Sequence, residues 1–280
     1  MNKIGFELEM SDILTAEAAL IIHGSLDNWE DRWGGYNKPK LDYSKWNIQS
    51  DGTLKNSDGT ICMNSYQEDG VYYKANNSRK SKDRYRWRGA ELISPIIPLD
   101  ELDERLEEAS QFIEEFKYCG ATFSSELFNS LHIHIDISDV ELEKVQSWIS
   151  YIFLVQSDLD KLGNDWHGRK LFTQEEVNRL TNCPLEEFND YYTTLANGRK
   201  ASFNANGIRR IVDVGPRFNP SKPNTIEFRC FKSIPDVRYI RACIELCLYL
   251  VDCWKNDGVI SSSKFIELLD EIKELEAWVS

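Results

Sequence analysis

The chain has no glycine loop for cradling phosphates. Neither G-x-x-x-x-G-K-[ST] nor G-x-G-x-x-G occurs in its 280 residues, so any nucleotide must be held by metals and arginines. No apolar run approaches the roughly 20 residues that span a bilayer, and no signal-peptide pattern precedes the first strand. The seven cysteines are odd in number and scattered, with no C-x-x-C pair. They point to a reduced, cytoplasmic protein without a zinc ribbon. Cys243, Cys247 and Cys253 lie in a strongly apolar helical stretch, where they are expected to act as small buried apolar groups. Basic charge is short as well: 33 Lys and Arg stand against 46 Asp and Glu, a net charge of -13 and a pI near 4.9. A general nucleic-acid grip needs a basic surface and is disfavoured on that ground, which leaves room for a local basic pocket. Internal repeats and low-complexity tracts are absent too.

The chain is 41% hydrophobic and 28% charged, an ordinary globular mixture with length enough for one substantial core. The opening segment, "NKIGFELEM", reads as a strand, and "TAEAALIIH" after it as a short helix. A polar, aromatic-rich loop is expected over 24–45, then a strand in "WNIQSDGTL" (46–54) that turns at Asp51-Gly52. Residues 55–83 read as an exposed hairpin or flap, and "RYRWRGAELISPII" (84–97) as a strand stopped by Pro95 and Pro98. Residues 99–120 are expected to form an amphipathic helix: Leu99, Leu102, Leu106, Ala109, Phe112, Ile113 and Phe116 fall at helical spacing, with Gly120 at the stop. "SLHIHIDIS" (130–138) alternates as a strand, and a helix follows over 139–161 with Asp139 as its N-cap. A polar, helix-rich insertion spans about 160–200. "RRIVDV" and "NTIEFRCF" (224–231) are strands, and two helices, near 236–256 and 261–278, close the chain. Without regular β-α-β alternation, this order argues against a doubly wound sheet and for an α+β fold. One domain over 1–280 is expected, with the flap and the insertion as its excursions.

Charge sits on strands where aliphatics would be ordinary. Glu7 and Glu9, His132 and His134, and Glu227 and Arg229 each repeat at i and i+2, so each pair shares a strand face; Glu91 adds a further acid on its own strand. Taken singly, Glu7-x-Glu9 reads as the solvent face of an antiparallel strand, His132-x-His134 as a solvent face or a functional pair, and Glu227-x-Arg229 as half of a cross-strand charge ladder. Taken together, adjacent strands would stack acid on acid, which is destabilising unless something neutralises them. Divalent cations would do so: carboxylate oxygens suit Mg²⁺ or Mn²⁺, and imidazole is tolerated by Mn²⁺. No cysteine lies beside these positions, which disfavours structural zinc. Arg209, Arg210 and Arg217 cluster before the Glu227 strand, and guanidinium groups fork onto phosphate or carboxylate oxygens. Such a face, with such arginines, is suited to handling phosphate.

The blocks "GFELEM", "WNIQSDGTL", "RGAELISPII", "LHIHIDIS" and "NTIEFRCF", in this order over residues 5 to 231, closely resemble the amidoligase family of the carboxylate–amine ligase superfamily, which includes glutamine synthetase and glutamate–cysteine ligase. The resemblance implies a curved antiparallel sheet backed by helices, a glutamine synthetase-like catalytic fold, with ATP and Mg²⁺ or Mn²⁺ on its concave face. It implies an amide-forming ligase that phosphorylates a carboxylate with ATP before an amine displaces the phosphate. Carried over by motif, Glu7, Glu9, Glu91, His132 and Glu227 match metal ligands, and Asp51 is either a ligand or substrate contact or a plain turn residue. His134 and Arg209 would meet ATP phosphates, Arg229 would steady the transferring phosphoryl group, and Arg210 and Arg217 would bind phosphate or substrate. Arg88 is a candidate substrate contact. The segment "RRIVDVGPRFNP" departs from the tyrosine- and asparagine-bearing stretch of the family, with Asn219 standing in. His23 is expected to be structural, and His167 an exposed loop residue or a substrate contact. The expected partners are a carboxylate and an amine from the amino acid, peptide or protein class, for a monomer or dimer that uses neither nucleic acid nor membrane. The competing readings are a metal-dependent hydrolase of the phosphoesterase type and a non-catalytic binding protein on the same scaffold.

Overall fold

The computed structural model describes residues 3–26, 42–50, 54–57, 65–68, 71–74, 88–127, 129–162, 172–184, 187, 212–214 and 225–279. The chain is α+β, with an antiparallel sheet that does not close on itself and is backed by helices. It divides into two compact units: residues 1–133, 232–241 and 275–280, and residues 134–231 and 242–274. Among the described residues no helix is long and apolar enough to cross a membrane.

The first unit is organised around β1 (Lys3–Leu14). Ile4, Phe6, Leu8 and Met10 alternate with Gly5, Glu7 and Glu9, and the apolar set is buried. The strand runs on to Leu14, past the "NKIGFELEM" read from the sequence. Its last stretch bends through Asp12, whose φ of 66° sits where the register with the neighbouring strand shifts, between Met10 and Leu14. After α1 (Thr15–His23), β2 is only Asn47–Gln49, the buried centre of the expected 46–54 strand. Within the expected flap, a separate hairpin is formed by β3 (Ser65–Glu68) and β4 (Val71–Lys74). β5 (Arg88–Ile93) and β6 (Ile97–Pro98) share the expected 84–97 strand, and both pair with β1. The order in this unit is β2-β5-β1-β7, where β7 is Ser130–Asp136 and enters the second unit after Ile133.

α2 (Leu102–Tyr118) buries one face, through Leu102, Leu106, Ala109, Ile113 and Phe116. Phe6, Trp46 and Phe112 meet edge to face, at centroid separations of 5.7 and 5.6 Å. Truncating a ring in such a stack to alanine costs about 3–5 kcal/mol. Because Phe6, Leu8 and Met10 fill the buried face of β1, Glu7 and Glu9, which alternate with them, point to the other face.

The second unit repeats the plan on β9 (Thr225–Lys232), flanked by β7 and β8 (Val212–Val214). Ile226, Phe228 and Cys230 are buried and alternate with Glu227 and Arg229. Phe228 packs against Trp148 of α3 (Leu142–Phe153) at 6.0 Å. Trp148 in turn meets Trp254 of α6 (Val237–Lys255) at 5.2 Å. The expected helix over 139–161 is broken into α3 and α4 (Gln156–Asp160). The Leu154 and Val155 amides donate to the carbonyls of Tyr151 and Ile152 three residues back, a tighter turn that ends α3. Asp139 is not the cap of α3, whose N-cap position is Glu141 without a side-chain bond; the Asp139 carboxylate instead accepts from Lys255 Nζ at 2.8 Å. α5 (Gln174–Asn182) opens with a capping box between Thr173 and Glu176, and α7 (Ser262–Val279) ends the chain.

Cys243 and Cys247 are buried as expected, and Cys253 is half-buried. Burial, with Cys230 and Cys243 alongside, pushes the Cys247 thiol well above its ordinary range, which suits an inert core group. His23 ends α1, where burial and then the charge of Lys45 lower its pKa, as befits a structural residue.

Candidate active site

Each unit carries one polar strand group. In the first, Glu9 and Glu91 are direct partners across β1 and β5, and Gln49 is the partner of Glu91 across β5 and β2. The register therefore puts Glu9, Glu91 and Gln49 in one row on one face. Glu9 and Glu91 are each 1% exposed, and His132 of β7 is 2% exposed. Moving an ionised carboxylate this far from water costs several kcal/mol, so such a row persists only with strong partners.

Ser130 supplies some of them. Its amide and its hydroxyl both donate to Glu9 Oε2, each at 2.7 Å. The same hydroxyl oxygen lies 2.9 Å from His132 Nε2, while His132 Nδ1 lies 3.0 Å from Glu7 Oε2. Glu9 Oε1 is turned toward His132 Nε2, 3.8 Å away. Four side chains of two strands thus form one chain, Glu7–His132–Ser130–Glu9. The Ser130–His132–Glu7 distances match those of a nucleophile–base–acid relay, but the Ser130 proton goes to Glu9, and the residue is 1% exposed. A nucleophile must be presented to a substrate and must pass its proton to its base, so this serine orients its neighbours.

In the second unit, Glu227 is the central residue. Arg229 NH2 is 2.6 Å from Glu227 Oε1, and His134 Nε2 is 3.9 Å from the same oxygen. These side chains are more open than Glu9, Glu91 and His132, at 23% for His134, 14% for Glu227 and 21% for Arg229, and compare with Glu7 at 20%. Asp213 of β8 is the register partner of Glu227.

The structure thus gathers Glu7, Glu9, Glu91 and His132 in one unit and His134, Glu227 and Arg229 in the other, with β7 contributing a histidine to each. The donor set of the first group, carboxylates with one imidazole and no thiolate, suits a hard divalent ion such as Mg²⁺ or Mn²⁺. The second group joins a carboxylate, an imidazole and a guanidinium, a mixture that can serve both a metal and an anion. Arg88 donates from NH2 to the Asp12 carbonyl at 3.3 Å, and so braces the β1 bend. Asp51, Arg209, Arg210, Arg217, His167 and Asn219 lie outside the described residues.

Sequence reasoning passed over Ser130 and Gln49. Ser130 was detectable as the i−2 neighbour of His132 on an alternating strand. Gln49 becomes visible only once β2 is set in register against β5.

A search among curated proteins finds no match. The model of a family described as "Putative amidoligase enzyme" matches residues 1–251, a span that takes in every strand and both polar groups. Over most of its length, from the Glu7–Glu9 strand to the helix behind Glu227, this chain belongs to the amidoligase family.

Proposed function

We propose that the protein is an ATP-dependent carboxylate–amine ligase with a glutamine synthetase-like fold. The observation that carries this reading is the buried opposition of Glu9 and Glu91 beside the Glu7–His132 pair. A face so acidic and so dry calls for cations.

In this reading Glu7, Glu9, Glu91, His132 and Glu227, with Asp51, hold Mg²⁺ or Mn²⁺. Bound there, the metals would offset charge on the β- and γ-phosphates of ATP. His134, Arg209 and Arg229 would meet the phosphates, and Arg210 and Arg217 would hold phosphate or substrate oxygens. A carboxylate oxygen of the first substrate attacks the γ-phosphorus and ADP leaves, giving an acyl phosphate. The amine of the second substrate then attacks the acyl carbon, the C–O bond to phosphate breaks, and the amine gives up a proton as the amide or peptide bond forms. Arg229 is suited to the phosphoryl group because its guanidinium keeps its charge and forks onto oxygens. The carboxylate and amine belong to the amino acid, peptide or protein class.

Thermal unfolding with Mg²⁺, with ATP and with both tests this without a known substrate. A ligand at about 100 times its dissociation constant stabilises by about 2.7 kcal/mol. A shift that needs both supports the ligase. A shift with Mg²⁺ alone, indifferent to ATP, overturns it in favour of metal-dependent hydrolysis.

A further inference from the structure

We propose that Ser130 is the positioning residue of the first unit's metal site, an inference that rests on the metal reading above. Its amide and hydroxyl converge on one oxygen of Glu9, at 2.7 Å each. Bonds that short to a carboxylate are charge-assisted and stronger than neutral ones. A glutamate's terminal torsion is otherwise broad, so two donors on Oε2 set the plane of the carboxylate and the direction of Oε1. The serine oxygen also stands 2.9 Å from His132 Nε2, which places the imidazole ring relative to the same carboxylate. One hydroxyl therefore sets the spacing of two metal ligands on neighbouring strands. Outer-shell groups that fix ligand orientation are worth about 10–100-fold in metal affinity.

The strands themselves do not depend on this hydroxyl. Just before Ser130, Asn129 Nδ2 donates to the Thr122 carbonyl at 2.8 Å, and Asn129 Oδ1 accepts from Ser11 Oγ at 2.8 Å. Ser11 and Thr122 exchange both backbone bonds, at 2.8 and 3.0 Å. On the other side of Glu9, Ser233 Oγ donates to the Glu9 carbonyl at 2.5 Å. The Glu9 carbonyl and the residue before Ser130 are thus held by groups other than the Ser130 hydroxyl, and that hydroxyl acts on the orientation of Glu9 and His132.

Ser94 provides the control. It is equally a buried serine, with its hydroxyl accepting from the Phe6 amide at 2.9 Å and donating to the Pro95 carbonyl at 2.8 Å, but it touches neither Glu9 nor His132 in these bonds. The experiment titrates Mn²⁺ into the full chain and follows free Mn²⁺ by electron paramagnetic resonance, for wild type, Ser130→Ala and Ser94→Ala, with metal-free melting temperatures alongside. We expect Ser130→Ala to weaken Mn²⁺ by about 10–100-fold, and Ser94→Ala to keep wild-type affinity whatever its melting temperature. Ser130→Cys, near in size but a much weaker donor, is the second variant and should weaken binding in the same direction. Wild-type affinity in the Ser130 variants, or equal weakening in Ser94→Ala, overturns the positioning role alone. A wild-type chain that takes up no Mn²⁺ overturns the metal reading and this inference with it.

Discussion

The two units treat the charged face of their central strand differently. In the first, Glu9, Glu91 and the imidazole of His132 are almost wholly out of water, and of this group only Glu7 keeps an exposed part, at 20%. In the second, His134, Glu227 and Arg229 keep part of their surface exposed, and an arginine is built into the group. Three acids and one histidine make up the first group, against one acid, one histidine and one guanidinium in the second. Burial raises the cost of each uncompensated charge, so on the proposed reading the first face is the one that takes a cation. The second is close to balanced and partly open, and in the proposed function it is the face that meets the phosphates. The lesson is that the same i, i+2 spacing of charge serves different chemistry depending on how dry the face is and on the sign of its neighbours.

Glu9→Gln should separate the faces most sharply. It keeps shape and one acceptor oxygen but removes a charge from the Glu9–Glu91 opposition. Outer-shell changes alone cost about 10–100-fold, so loss of a ligand should lower both Mn²⁺ affinity and ligase turnover by more than about 100-fold. The metal-free melting temperature should hold or rise, because like charges no longer face each other. A large fall in metal-free stability with intact Mn²⁺ binding would make Glu9 a structural acid and erase the contrast between the units.

Arg229→Lys tests the other face. It keeps the charge but loses the planar fork that meets Glu227 at 2.6 Å. Mn²⁺ binding by the first unit should be unchanged. Turnover should fall about ten- to hundred-fold, the worth of one charge-assisted hydrogen bond of about 1.5–3 kcal/mol. Equal loss of Mn²⁺ binding in this variant would contradict the division of labour.

Glu108→Gln leaves both charged faces alone and acts behind the sheet. Glu108 Oε2 accepts from Trp46 Nε1 at 2.7 Å, and Arg105 NH1 donates to both of its oxygens at 2.9 Å. Burial opposes ionisation of Glu108, but the bonds from Trp46 and Arg105 outweigh it and leave its pKa below the ordinary value. The loss of stability should be about 1 kcal/mol, read as a lower denaturation midpoint at pH 7. Mn²⁺ affinity should not change; if it does, the packed and polar faces of β1 are not independent.

How much of this was written in the sequence depends on the range of each interaction. β1, α2 and β7 were legible because alternation and helical spacing are local, and the same alternation put Glu7 with Glu9 and His132 with His134. The opposition of Glu9 to Glu91, the Gln49 partner and the Ser130 bonds depend on strand register, which joins residues up to 121 positions apart and leaves no local trace. The cap expected at Asp139 failed for a related reason: Lys255, 116 positions away, takes its carboxylate. The break between α3 and α4 was hidden because "YIFLVQSDLD" holds neither proline nor glycine to mark it.

That Asp139–Lys255 pair gives the smallest expected effect and completes the comparison from the surface side. It lies in the second unit, but the Asp139 side chain is 69% exposed, unlike the partly buried Glu227. The bond from Lys255 lowers the Asp139 pKa. A depressed folded-state pKa gives stability that is present above the unfolded value and is lost as pH falls through the folded one. Solvent screening limits that contribution to about 0–1 kcal/mol. Asp139→Asn should therefore change stability at pH 7 by no more than about 0.5 kcal/mol, and by less at a pH low enough to protonate the wild-type carboxylate. Raising the salt concentration should shrink the difference further. Denaturation of both forms at the two pH values, with and without added salt, would measure it. A larger, salt-insensitive loss would mean that exposure does not set the worth of these acids, and the contrast between the dry face of β1 and the open face of β9 would need another cause.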